Sequence, residues 1–287
     1  MNSNNAKRTE TLPIGTMVRF NEAPETSFRR LKDFGIGYCQ LAAPPDHYLY
    51  GTAGRRNTRL LMNALEEYDI GVTSLFISFP DQNWSDPLNS VGLTPPATRA
   101  ARIARACRST DWAKELGITQ IASHVGCVAE DTGDPDYAGF VAAMRAFCLL
   151  LEANGQVLAY ETGMETVDVQ NRLMNDIGVG NQRINFDPAN MLIYNKDDPM
   201  KLVERFGHLV VHVHCKDANR PAAGENQGRE VRLGTGQTGF PDLFRELYRR
   251  GYRGPLTIER EIDPGSEQDG DIRHAVTLLK KLKEEVK

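Results

Sequence analysis

Ile184-Asn-Phe-Asp187 and Val210-Val-His-Val-His214 are short apolar runs that each close on a metal-ligand type of residue. Two further runs are built alike, Val157-Leu-Ala-Tyr-Glu161 before them and Leu256-Thr-Ile-Glu259 after them. Their final residues, Glu161, Asp187 and His214, are spaced by about one strand–helix unit, and Glu259 follows after one unit plus a long loop. Side chains alternate along a strand, so Asn185 and Asp187 share one face, His212 and His214 another, and Thr257 and Glu259 a third. The polar set then points one way and the residues Ile184, Phe186, Val211, Val213, Leu256 and Ile258 the other.

Outward from these runs the same rhythm covers the chain. Strand-like segments are read at Leu12–Phe20, Ile36–Leu41, Gly71–Phe79, Ile118–His124, Gln156–Thr162, Arg183–Asp187, Leu209–His214 and Pro255–Glu259. Helical patterns lie between them, as at Ala97–Leu116, Pro135–Ala153, Pro199–Phe206 and Phe240–Arg250, with a last helix near Gln268–Glu285. Gly35, Gly117, Gly155, Gly207 and Gly251 stand where helices should stop. Strand-then-helix repetition implies a parallel sheet. Eight such units in 287 residues fit an α/β fold of the (β/α)8 TIM-barrel type, with an open doubly wound sheet as the alternative. No linker or composition shift divides the chain, so residues 1–287 are expected to form one domain, with 1–10 as a flexible tail.

Composition narrows the function. Lys and Arg number 34 against 38 Asp and Glu, a net charge of −4, which leaves no electrostatic footprint for nucleic acid and no basic membrane-facing surface. No apolar run is long enough to span a bilayer, and the polar N-terminus has no signal-peptide core. Five widely spaced cysteines without a C-x-x-C read as reduced thiols in a cytoplasmic protein.

Carboxylates inside a barrel are costly unless paired or metal-bound. Three of them meeting would repel one another and shift each other's pKa. A divalent cation resolves this, and three carboxylates with one imidazole suit Mn2+, Mg2+ or Co2+, with Zn2+ compatible. Glu161, Asp187, His214 and Glu259 are therefore the expected metal ligands. Two loops after strand ends are long, Pro80–Pro96 with Trp84 and Asp217–Gly239, and such loops build barrel active sites. Trp84 reads either as a substrate wall or as surface decoration. His124, at the end of strand four, reads as a substrate contact or as a satisfied core histidine. Lys216, Arg229 and Arg232 read as phosphate contacts or as a solvated loop face. Gly234-Thr-Gly-Gln-Thr-Gly239 matches a dinucleotide fingerprint in letters only, because no strand precedes it, so no nucleotide cofactor is expected.

Ser123-His-Val-Gly126, Glu161-Thr-Gly-Met-Glu165, Asn185-Phe-Asp-Pro-Ala-Asn190, His212-Val-His-Cys-Lys-Asp217 and Thr257-Ile-Glu-Arg-Glu261 together resemble the xylose isomerase-like sugar phosphate isomerase/epimerase superfamily. That group includes ketose 3-epimerases, hydroxypyruvate isomerases and inosose dehydratases. The resemblance implies that Glu161 and Glu259 also exchange protons with substrate. It implies that Arg220 binds a substrate oxygen and that His212 and Glu165 line the site. It implies a carbohydrate substrate and a homodimer or homotetramer. Asn190 stands where several relatives have histidine, which sets the ketose-epimerase contacts apart from those of this chain. With only six histidines, a three-zinc phosphodiesterase like endonuclease IV is disfavoured. The expected activity is a metal-dependent sugar or sugar-phosphate isomerase or epimerase, acting by proton transfer through a metal-stabilised enediolate. The alternative is a lyase or dehydratase on the same site, and after it a non-catalytic sugar-binding barrel.

Overall fold

The computed structural model describes residues 10–286. The tail expected at the N-terminus lies outside these residues except for Glu10, whose carboxylate meets Lys283 at 3.0 Å. Among the described residues ten strands are formed: β1 Ile14–Val18, β2 Tyr38–Ala42, β3 Gly71–Ile77, β4 Gln120–Ser123, β5 Val157–Glu161, β6 Gln182–Phe186, β7 Val210–Cys215, β8 Asp217–Asn219, β9 Arg229–Val231 and β10 Leu256–Ile258. Eight close into a parallel barrel in the order β1-β10-β7-β6-β5-β4-β3-β2, with helices between the strands. The remaining two, β8 and β9, pair antiparallel as a small hairpin. The fold is the (β/α)8 barrel, not the open sheet.

The helices cover the barrel with an apolar layer that includes Phe28, Leu61, Phe147, Leu173, Phe244 and Leu279, all buried. Each such side chain contributes about 1.5–3 kcal/mol of transfer free energy. Proline opens several helices at a position that needs no N–H, as in Pro96–Glu115, Pro188–Ile193 and Pro199–Phe206. Gly35, Gly117, Gly155 and Gly251 take positive φ, as expected of helix stops. Gly207 does not. Its φ is −51°, and the chain continues through a 3-10 turn, Gly207–Leu209, into β7. A Cβ there would lie 2.8 Å from Cδ of the flexible Arg250 side chain, which would have to shift, and no left-handed turn calls for glycine.

Inside the barrel the alternation holds. Asn185, His212, His214 and Thr257 are fully buried, and register places Asn185 beside Glu161 and His212, and Thr257 beside His214. Two register irregularities fall next to this polar belt, between Cys39 and Gln40 and between Ile184 and Asn185. Bulges of this kind re-aim side chains near active sites. Strand boundaries shift by one or two residues from expectation; at the site, His124, Asp187 and Glu259 lie one residue beyond β4, β6 and β10. Elements not foreseen include the β8–β9 hairpin inside the long loop and the short helices Asp46–Leu49, Pro87–Ser90 and Pro188–Ile193.

Candidate metal centre and active site

In barrel order, β10, β7, β6 and β5 deliver Glu259, His214, Asp187 and Glu161 to one rim. One donor atom from each of the four lies within 4.8 Å of all the others, and all four residues are buried. His214 Nδ1 is 2.9 Å from Glu161 Oε1, 3.2 Å from Glu259 Oε2 and 3.7 Å from Asp187 Oδ2.

Local chemistry explains the aim of each group. Asp187 caps the helix Pro188–Ile193, its Oδ1 accepting from the Asn190 N–H at 2.9 Å, a favoured arrangement for Asp at this position. That leaves Oδ2 for the cluster. Thr162 ties the ends of β5 and β6 together: its hydroxyl donates to the Asp187 carbonyl and accepts from the Asp187 N–H. His214 donates through Nε2 to Gln40 Oε1 at 2.8 Å, which turns the lone pair of Nδ1 toward the carboxylates. Gln40 then donates to Ser74, Ser74 lies 3.2 Å from His212 Nδ1, and His212 Nε2 lies 2.6 Å from the Thr257 hydroxyl. Burial, and then the neighbouring His214, push His212 well below the ordinary histidine range, so a neutral ring relays this chain.

The cluster fits a divalent cation. Asp187 Oδ2 and His214 Nδ1 are buried without a satisfied hydrogen bond, and both face the centre formed by the four donors. Burial pushes the Glu161 carboxyl up to about 7, against the pull of His214. Burial also opposes ionisation of Glu259, yet Lys216 and His214 hold it well below the usual carboxylate range.

Glu161 and Glu259 of the cluster line a cavity of about 500 Å³ whose walls include Trp84, His124, Asn190, Tyr194 and Lys216. Trp84 is half exposed and stands edge-on to His124 with ring centroids 5.6 Å apart. Its loop is held by a close approach: Leu93 N–H and Thr94 N–H both donate to the Val125 carbonyl, and a Cβ on Gly92, at φ +72°, would fall 2.1 Å from the Val125 carbonyl carbon. His124 accepts from the Gly126 N–H through Nδ1, while Nε2 is buried without a partner. Burial lowers its pKa to about 4, so the cavity faces a neutral imidazole.

Other residues expected at the site lie elsewhere. His212 sits beneath the cluster, hydrogen-bonded on both nitrogens, and does not line the cavity. Glu165 is buried behind Glu161, and burial pushes its carboxyl up to about 8. Arg220 is not brought to the cavity: the β8–β9 hairpin carries it outward, where it donates to Asn195 Oδ1 and the Asp197 carbonyl. Arg229 pairs with Glu225 and Arg232 with Asp271. The glycine stretch wraps a protein carboxylate. Asp217, buried, accepts from the N–H groups of Gly234, Gly236 and Thr238 and from the Thr238 hydroxyl.

The buried cation at the site is Lys216, and the half-exposed Arg19 also lines the cavity, 3.9 Å from Glu259 Oε1 and 3.6 Å from Glu261 Oε1. The Lys216 Nζ is buried 3.3 Å from Glu259 Oε2, 3.6 Å from Asp187 Oδ2, 2.5 Å from Glu261 Oε2 and 3.2 Å from Asn190 Oδ1. Burial works against its charge, but Glu259, Asp187 and Glu261 together keep it protonated. The residues not singled out in the sequence include Gln40, Ser74, Tyr194 and Arg19. A polar residue inside an apolar strand run was the available signal for the first two. The third sits just past an unforeseen helix.

A sequence profile described as the xylose isomerase-like TIM barrel matches residues 28–282. The rhizopine catabolism protein MocC of Rhizobium meliloti is 33% identical over 117 residues, which cover 36% of this chain and 35% of that protein. An inosose dehydratase of Clostridium botulinum is 25% identical over 115 residues, covering 36% and 38%. The aligned stretch thus spans little more than a third of either relative's length. The crystal structure of a xylose isomerase domain protein from Planctomyces limnophilus superposes with a TM-score of 0.87 at 29% identity, over 97% of this chain and 99% of that one.

Proposed function

The chain belongs to the xylose isomerase-like TIM-barrel family, and from that premise we propose that it is a divalent-metal-dependent isomerase or epimerase of a sugar, keto-sugar or sugar phosphate. The observation that carries the reading is the placement of Glu161 and Glu259 at the two ends of one four-residue arc, with His214 Nδ1 2.9 and 3.2 Å from them. Glu161, Asp187, His214 and Glu259 would hold the ion. Mn2+, Mg2+ or Co2+ suits three oxygen donors and one imidazole. When bound, the ion supplies electrostatic stabilisation of negative charge developing on substrate oxygens.

The protein's own residues do the rest. One glutamate of the pair takes the proton from the carbon beside the carbonyl, and its counterpart across the arc returns one. Return on the opposite face of the same carbon inverts it, and return to the neighbouring carbon exchanges aldose for ketose. His124, neutral and with Nε2 free, offers a hydrogen bond to a substrate hydroxyl. Trp84 and Tyr194 present apolar surface to the sugar ring and help exclude water. Lys216 keeps Glu259 ionised and ready to accept a proton.

A second reading, elimination of water from the same carbanionic species, is favoured by one observation. Lys216 places a buried ammonium at the cavity wall, where it can donate a proton to a departing hydroxyl, and one of the relatives is named an inosose dehydratase.

The test is proton NMR in D2O of the Mg2+-loaded protein with a panel of ketoses, aldoses, inososes and their phosphates. Loss of the proton signal beside the carbonyl, abolished in Glu259→Gln, supports the reading. Near-normal exchange by a metal-loaded Glu259→Gln protein removes that residue from the reaction, and absence of exchange across the panel overturns the proposal.

A further inference from the structure

The metal cavity does not end at its own wall. A second chamber, of about 620 Å³, adjoins it. Tyr194 and Gln227 line both spaces. Among the described residues neither side chain is tied by a hydrogen bond, so the partition between the chambers consists of a ring and an amide that are not anchored by polar contacts. Each space falls within the roughly 300–1,000 Å³ that holds a drug-sized ligand. A monosaccharide seated on the metal cluster fills only the first.

The chemistry of the second chamber limits what extends into it. Leu88, Pro96, Val128, Phe140 and Met164 supply apolar wall, with the uncharged polar groups of Asn89, Thr94 and Asn226 between them. Leu88 is 70% exposed, the most exposed large apolar side chain among the described residues, and it comes from the same loop as Trp84. The charges around the rim are committed or acidic. Arg99 donates to the Leu93 and Thr94 carbonyls and stacks on Phe140 at 5.6 Å. Lys196 pairs with Glu130 at 3.4 Å. Asp134 and Asp136 add two carboxylates. Among the described residues both cations of this wall are thus paired, and the acidic rim repels a phosphate.

We infer that the second chamber is a subsite for an uncharged, ring-bearing substituent of the substrate, so that the preferred substrate is a keto-glycoside, with its ring carbonyl away from the blocked anomeric carbon and an uncharged aryl aglycone, not a free or phosphorylated monosaccharide. The inference rests on the proposed reaction for the position of the sugar, and on the shared Tyr194–Gln227 partition for the direction in which the substituent leaves. Trp84 and Leu88 then flank the path of the aglycone from one loop.

The experiment compares matched methyl and 4-fluorophenyl 3-ketoglycosides of several hexoses on the Mg2+-loaded protein. Affinity is read by ligand-observed fluorine and saturation-transfer NMR, and deuterium incorporation is read separately. The aryl member should bind at least tenfold more tightly than its methyl partner, with the strongest saturation on the aryl ring. Ala129→Phe, which fills the chamber, and Leu88→Asp, which adds a charge at its exposed edge, should each bring that ratio below threefold. Equal affinity for the two members, no binding of any aryl glycoside, or a ratio unmoved by both variants overturns the inference. Absence of exchange with every sugar and glycoside sinks the proposed reaction while the binding ratio still decides the subsite. Exchange with an aryl-to-methyl ratio near one sinks the subsite alone.

Discussion

Replacing Gln40 by Leu should weaken metal binding although Gln40 touches no metal ligand atom that faces the cluster. Its Oε1 is the acceptor, at 2.8 Å, for the Nε2–H of His214, and this bond aims Nδ1 at the three carboxylates. Leucine has a similar volume, so the barrel interior stays filled. The ring, however, loses the acceptor that fixes its tautomer, in a place sealed from water. A buried donor left without a partner costs about 1–3 kcal/mol, and loss of such outer partners typically lowers metal affinity about 10–100-fold, which is about 1.4–2.8 kcal/mol. Asn185, whose amide nitrogen is 3.2 Å from the same Nε2, is the other polar neighbour and sets the effect toward the lower figure. The assay is a Mn2+ titration by electron paramagnetic resonance on wild type, Gln40→Leu and Gln40→Glu, with circular dichroism as the folding control. Gln40→Glu retains an acceptor and should stay near wild type. A Gln40→Leu protein that is folded and binds Mn2+ within twofold of wild type would refute the claim that this bond orients the histidine.

Three other outcomes are expected. Because burial pushes Glu161 up to about 7 and His214 is held well above its ordinary value, protons compete with the cation; affinity should rise roughly tenfold or more from pH 6 to pH 7.5, with at least one proton released per ion by calorimetry in paired buffers, and a flat profile sinks the assignment. Lys216→Met should separate the two readings of the reaction: water release falls by about a hundredfold with solvent exchange preserved if Lys216 protonates a leaving group, whereas parallel loss of both assigns it to holding Glu259 ionised. Glu165 has its folded pKa raised by burial from 4.5 to about 8, so its unfavourable contribution is absent below pH 4.5, grows as pH rises toward 8 and is complete above it. It amounts to a few kcal/mol by the usual conversion, about 1.4 kcal/mol per unit. Glu165→Gln should therefore raise the melting temperature of the metal-free protein more at pH 9 than at pH 5, and parallel curves for the two proteins would contradict this.

The barrel was legible because its rule is periodic. Each strand alternates, each unit repeats, and a carboxylate or imidazole at successive strand ends departs from the branched apolar filling of an ordinary barrel interior. Glu161, Asp187, His214 and Glu259 could be placed on one rim from spacing alone. What spacing does not carry is direction after the strand ends. Arg220 was assigned by its distance along the chain from His214, but β8 begins within three residues of His214 and pairs with β9, which sends the arginine over the loop at Asn195. The same hairpin explains the glycine stretch: Gly234 and Gly236 bring their N–H groups to Asp217, and a Cβ on Gly236 would lie 2.4 Å from Asp217 Oδ1.

Asp217 follows Lys216 directly, and the two side chains divide the loop's work. Asp217 faces away from the cavity and is saturated by donors from the glycine stretch, which fixes the backbone at the end of β7. Lys216, on the neighbouring position, is thereby held toward Glu259 and Asp187 with no room to swing out, since its side chain is almost entirely buried. Neither residue shows its role in an alternation pattern, because both lie past the strand. Their roles follow from charge balance: three carboxylates around His214 and a fourth at Glu261 need more positive charge than one imidazole supplies, and the first lysine after β7 is the residue the chain places there. Reading the sequence for what neutralises an expected acidic cluster, and not only for what composes it, would have put Lys216 in the site ahead of Arg220.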